Sequence, residues 1–254
     1  MDLKEILQHH IIDHVWSWLN LGALRLPVSK HFLMMIIGGS LLSIAIPAAV
    51  RSRNEKLRIF RGLIETIVVF LRDEVVHPNI GHKTSRYLPY FCTLFFFILV
   101  CNLLGLVPFG STATGNIAVT GGMALTTFAL INLAGIREQG FLNYIRHIVP
   151  SGVPGWLVPL LFPIELIGLV TKTLALCIRL FANMIAGHIV ILALLGLIFM
   201  FGAINPWLGV GITAPAAIFL ILFVSLLELF VAVLQAYIFT FLTAIFVGAS
   251  MHSH

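Results

Sequence analysis

From Leu180 to His254 the chain has no lysine or arginine, and residues 102–136 have none either. Runs of that length without a cation belong in lipid rather than in water. Composition agrees: 59% of the 254 residues are hydrophobic and 10% are charged, where soluble domains carry about 25% charge. Mean hydropathy is +1.05. The expected fold is an all-α membrane protein forming a single membrane domain over residues 1–254.

Helix lengths divide the chain. Residues 32–50 are uncharged and match the roughly 20 residues that cross a bilayer. Arg51, Arg53, Lys56, Arg58 and Arg61 follow. From there Leu57, Phe60, Ile64, Ile67, Leu71 and Val75 recur on one helical face, with charged residues filling much of the rest. That spacing predicts an amphipathic helix over 54–77, lying on the membrane surface and ended by His77-Pro78-Asn79. Residues 88–107 and 117–136 form two spans around the turn chemistry of 108–116. Two long apolar helices, 157–201 and 213–248, close the chain, separated by Asn205-Pro206 and by Gly209 and Gly211. Each exceeds one upright crossing at about 1.5 Å per residue, so both should tilt strongly. The total is five transmembrane crossings plus one surface helix.

Of fifteen Lys and Arg residues, eight fall between Arg51 and Arg86. This is a topology signal, not a nucleic-acid surface. It puts the 51–61 run in the cytoplasm, the amino terminus (segment 1–31) outside and the carboxyl terminus inside. Residues 1–30 lack the basic start and cleavage site of a signal peptide. This pattern suits a bacterial plasma (inner) membrane. His9, His10 and His14 could share a metal on one turn. The expectation is instead a polar end near the headgroups, with Trp16 and Trp18 as interfacial anchors. Cys92, Cys101 and Cys177 have neither zinc nor disulfide spacing and read as packing residues. No metal or other cofactor is expected.

Five ionisable residues lie within or close to the last two spans: Glu165, Lys172, Arg179, His188 and Glu228. An Arg or Lys at mid-membrane costs about 2.5–3.5 kcal/mol, which makes it a functional candidate by default. A structural ion pair is the alternative. At about 100° per residue, Glu165, Lys172, Arg179 and Asn183 fall on one stripe, flanked by Ala175, Ala182 and Ala186. Alanines permit another helix to approach closely, and a cation there suggests a carboxylate partner. Counted from the outer loop, Arg179 and Gln235 are both about 22 residues deep, with His188 and Glu228 nearer the outside at about 13 and 15. A His beside a Glu suits a proton relay. His188 lies about 180° from Arg179 on the wheel, so it lines a path to the arginine indirectly.

The run Arg179-Leu-Phe-Ala-Asn183-Met-Ile-Ala-Gly-His188 resembles the signature of the subunit a family of rotary ATP synthases. Pro163-Ile-Glu165 and Lys172 resemble its approach to that motif. Glu228 through Gln235 and on to Phe239 resembles the family's last helix, and Phe91–Pro108 its middle hairpin. The resemblance implies a proton-translocating stator, not itself catalytic. Arg179 would face the carboxylates of a c-ring, with Asn183 and Gln235 beside it. His188 and Glu228 would stand in an outer half-channel; Glu165 and Lys172 would lie toward the inner side, Glu165 in particular in an inner half-channel. The implied partners are c-ring subunits, peripheral-stalk b subunits, the remainder of the ATP synthase and lipid, but no nucleic acid. An independent ion channel or secondary transporter is the other transport class, but the inverted repeats it calls for are not evident. A haem enzyme would want facing pairs of deep histidines, and no HExxH is present for zinc.

Overall fold

The computed structural model describes residues 15–21, 24–51, 55–106, 113–147 and 156–251. His9, His10, His14, most of the 108–116 loop and the 150–155 Pro/Gly cluster lie outside them. Among the described residues, five helical stretches are long and apolar enough to cross a membrane. A helix pairs most of its backbone within itself, as a hydrocarbon surrounding requires.

A two-stranded antiparallel ribbon, β1 (Val15–Leu21) and β2 (Leu24–Ser29), precedes the first long helix. It carries Trp16 and Trp18, and no periodicity in residues 1–30 had suggested it. Helix α1 (Lys30–Arg51) comes next. Helix α2 (Glu55–Phe70) runs through wider-turned residues Leu71–Val76 into the single turn α3 (His77–Ile80). The helical path therefore outlasts the expected stop at His77-Pro78-Asn79. Pro78 sits in the first turn of α3, where a missing N–H costs little. The break falls at Gly81, whose φ of 69° suits a residue without Cβ. Helix α4 (Thr84–Leu106) and helix α5 (Ile117–Gln139) follow, then a short helix, α6 (Phe141–His147).

Helix α7 (Val158–Ile204) has 47 residues, and helix α8 (Ala214–Met251) has 38. Only Asn205 interrupts the helical path before Pro206 and the wide-turned Trp207–Thr213, which leads into α8. The Asn205 side-chain oxygen accepts from the Trp207 N–H at 3.0 Å. Gly202 and Gly209 meet backbone to backbone, where a Cβ on Gly209 would collide.

Two compact units divide the chain, the first comprising Met1–Ser40, Ile98–Ile117 and Leu180–Gln235. Its interior includes Ile98, Cys101, Leu180, Met184, Ala217 and Ala232. The second comprises Leu41–Phe97, Ala118–Arg179 and Ala236–His254. Its buried face on the surface-helix segment uses Ile64, Leu71 and Val75, three of the six residues in the helical pattern, while Phe60 is exposed. Phe91, Ile131, Ala134, Phe239 and Val247 of the same unit are buried as well.

The end of α8 is tied into this second unit by polar contacts. Ser250 Oγ donates to the Ile131 carbonyl of α5 at 3.0 Å, and its own carbonyl accepts from Gln139 Nε2 at 3.0 Å. Tyr144 of α6 donates to Asn132 Oδ1 at 2.9 Å. Burial pushes the Tyr144 phenol above its usual range, so it stays a donor. Lys83 pairs with Glu138.

Candidate functional site

Helix α7 shows two faces around Arg179. Thr173, Leu176, Cys177, Leu180 and Met184 are buried, and their three- and four-residue spacings mark one side of a helix. Lys172, Ala175, Ile178, Arg179, Ala182 and Ala186 are exposed. Cys177 Sγ lies 3.4 Å from the Thr120 hydroxyl of α5, two residues from the arginine. That buried contact helps set which way α7 is turned and so leaves Arg179 outward. None of the ion pairs among the described residues involves Arg179. An internal salt bridge, the structural alternative for this cation, is not formed there. Asn183, one turn on, is half-buried.

His188 and Glu228 come together in the first unit. His188 Nδ1 stands 4.0 Å from Glu228 Oε1 and 3.1 Å from the Met184 carbonyl. The Glu228 side chain is only 11% exposed, and its Oε1 has no hydrogen-bond partner within the protein. It reaches that depth because residue 187 is glycine. A Cβ there would run into the carboxyl group. A bare carboxylate in such surroundings is costly unless a positive group or a proton comes to it. The imidazole of His188 stands beside it at 4.0 Å.

Two further polar residues, one in the motif around α4 and one in the loop after it, belong to the same unit. Asn102 of α4 is fully buried and donates from Nδ2 to the Ala232 carbonyl of α8 at 3.3 Å. Its Oδ1 accepts from the Thr114 hydroxyl at 2.8 Å. Ala232 lies four residues after Glu228 and three before Gln235, on the same helical face. Gln235 is itself buried, and its Nε2 is without a hydrogen-bond partner. The available signal was an amide inside an otherwise apolar run.

Glu165 and Lys172 lie in the second unit. Glu165 is half-buried on α7, and none of the ion pairs among the described residues includes it. Lys172 is exposed, with its ammonium 5.8 Å from the centroid of the Phe246 ring of α8. Glu165 and Lys172, two of the three charges on the stripe, are therefore not paired to each other. Among the described residues no three His, Cys, Asp or Glu side chains gather as metal ligands would, and all three cysteines are free thiols.

Comparison with known proteins gives one answer. The sequence profile of the family described as ATP synthase A chain matches residues 32–248. ATP synthase subunit a of Anaeromyxobacter dehalogenans (strain 2CP-C) is 47% identical over 240 residues, covering 93% of this chain and 61% of the relative. ATP synthase subunit a of Myxococcus xanthus is 45% identical over 242 residues, covering 92% and 77%. ATP synthase subunit a 2 of Chlorobaculum tepidum is 41% identical over 266 residues, covering 98% and 74%. The chain thus spans about three-fifths of the length of the Anaeromyxobacter dehalogenans relative.

Proposed function

The chain belongs to the ATP synthase A chain family, and we propose that it is the proton-carrying membrane stator of a rotary ATP synthase. Its working partners are then a ring of carboxylate-bearing c subunits, the peripheral-stalk b subunits and the rest of the complex. It carries protons and performs no bond chemistry of its own. The observation that bears most weight is Arg179: a guanidinium on the exposed face of a helix of membrane-crossing length, free of the ion pairs found among the described residues. Such a charge needs a partner from outside the chain. The alanines around it allow a second helix to come close.

A proton from the outer side reaches His188 and Glu228, with Asn102, Thr114 and Gln235 extending the polar face. It neutralises a ring carboxylate, which can then turn into lipid without carrying a bare charge. On the inner side, Glu165 and Lys172 line the way out. Arg179 stabilises the ionised ring carboxylate and, as a fixed cation, repels protons that would cross directly from one path to the other. Every 100 mV of membrane potential contributes about 2.3 kcal/mol per charge moved. Helices α7 and α8 tilt along the ring, the amino terminus lies outside and the carboxyl terminus in the cytoplasm of a bacterial plasma membrane.

The test is Arg179→Ala in the assembled complex, measured as ATP synthesis driven by a proton gradient. Synthesis should disappear while assembly stays intact, and Arg179→Lys should lose most activity, because a compact ammonium does not reproduce the planar guanidinium fork. Normal synthesis in Arg179→Ala overturns the reading.

A further inference from the structure

The geometry points to Phe246 as a positioning residue: its ring holds the Lys172 ammonium at the α8 side of the stripe, so that of the two cations on that stripe Arg179 is the one presented to passing carboxylates. This rests on the proton-carrying reading above. Lys172 and Arg179 are seven residues apart, two turns of α7 and within about 20° of one another in phase. Both are exposed. Left free, a lysine on its long flexible stem would reach the same passing acids as the arginine. A second cation two turns away would hold an ionised ring carboxylate after it should have moved on.

The ring of Phe246 gives that ammonium another place to go. Its face is electron-rich and the 5.8 Å separation is within cation–π range. Water-poor surroundings strengthen such a contact. The platform is also anchored. Val247 and Thr243, its neighbours on α8, are fully buried. Ser250, one turn later, is bonded to the carbonyl of Ile131 and to the side chain of Gln139. Gly248 packs on the backbone of Asn79, with no room for a Cβ. The last turns of α8 therefore hold the ring in place while Lys172 is drawn to it.

The experiment compares Phe246→Leu and Phe246→Tyr, each with Lys172 present and with Lys172→Gln, in the assembled complex. ATP-driven proton pumping in inverted membrane vesicles is the readout, normalised to the amount of subunit assembled. Phe246→Leu should slow pumping about two- to fivefold when Lys172 is present. It should have no further effect on the rate set by Lys172→Gln. Phe246→Tyr keeps the aromatic face and should stay near the parent rate. An equal effect of Phe246→Leu in both backgrounds, or an equal loss with Phe246→Tyr, overturns the proposal. Neither outcome touches the Arg179→Ala test, so failure of the positioning role and failure of the proton-carrying reading are told apart.

Discussion

Glu228 is a carboxyl group enclosed by a glycine and a histidine of the helix it faces, and its neighbours define its chemistry. Gly187 leaves the space that the carboxyl occupies, and His188 stands at 4.0 Å. One of its oxygens has no hydrogen-bond partner within the protein, and a buried carboxylate left that way is costly. Replacing it with alanine should slow ATP-driven pumping by about 10²-fold, the lower end for loss of a positioned proton-transfer group. Unchanged pumping in Glu228→Ala would remove it from the proton path. Sequence alone made this residue conspicuous, because an acid inside a cation-free run is expensive. It also paired Glu228 with His188 by depth. Asn102 and Thr114 were not legible in that way. A neutral amide or hydroxyl costs little in a helix sequence, and its partners, the Ala232 carbonyl and the Thr114 hydroxyl, are fixed only by tertiary packing.

Helices show the same division between what a one-dimensional pattern holds and what packing decides. The long apolar runs, α1, α4, α5, α7 and α8, stand out because each must pair its own backbone in lipid. Their ends are less legible. The stop expected at Pro78 moved to Gly81, since proline fits the first turn of a helix as well as it breaks the middle of one. Helix α6, seven residues long, carries no periodicity strong enough to separate it from a loop. Its place depends on Tyr144, which fills the notch at Gly135 and reaches Asn132. Close approaches of this kind make a prediction about elements. Gly248→Val would drive a side chain into the Asn79 carbonyl, costing about 1–3 kcal/mol through overpacking. The amount of subunit assembled in membranes should fall, and its loss on mild heating should begin at a lower temperature. Gly62→Ala, where nothing lies within 4 Å, is the matched control and should assemble normally. Equal behaviour of the two variants would mean that the α8 end is not held as described.

Across the whole molecule, charge is distributed as unevenly as apolarity. All lysines and arginines except Lys4, Arg25 and Lys30 belong to the second compact unit, and the segments Ile98–Ile117 and Leu180–Gln235 of the first contain none. Because cytoplasmic loops collect Lys and Arg, the connection after α5, with Arg137 and Arg146, should be inside, and the cation-free connection between α7 and α8 outside. Two exposed positions make this measurable: Leu142 on α6 at 67% exposure and Trp207 at 85%. With Cys92, Cys101 and Cys177 replaced by alanine, a single cysteine is introduced as Trp207→Cys or Leu142→Cys and treated with a membrane-impermeant maleimide. In intact cells only the Trp207→Cys variant should label, and in inverted vesicles only the Leu142→Cys variant. The reverse pattern would invert the molecule. His188 and Glu228 would then open toward the cytoplasm, and the direction of proton flow assigned to them would be wrong even if Arg179 kept its role.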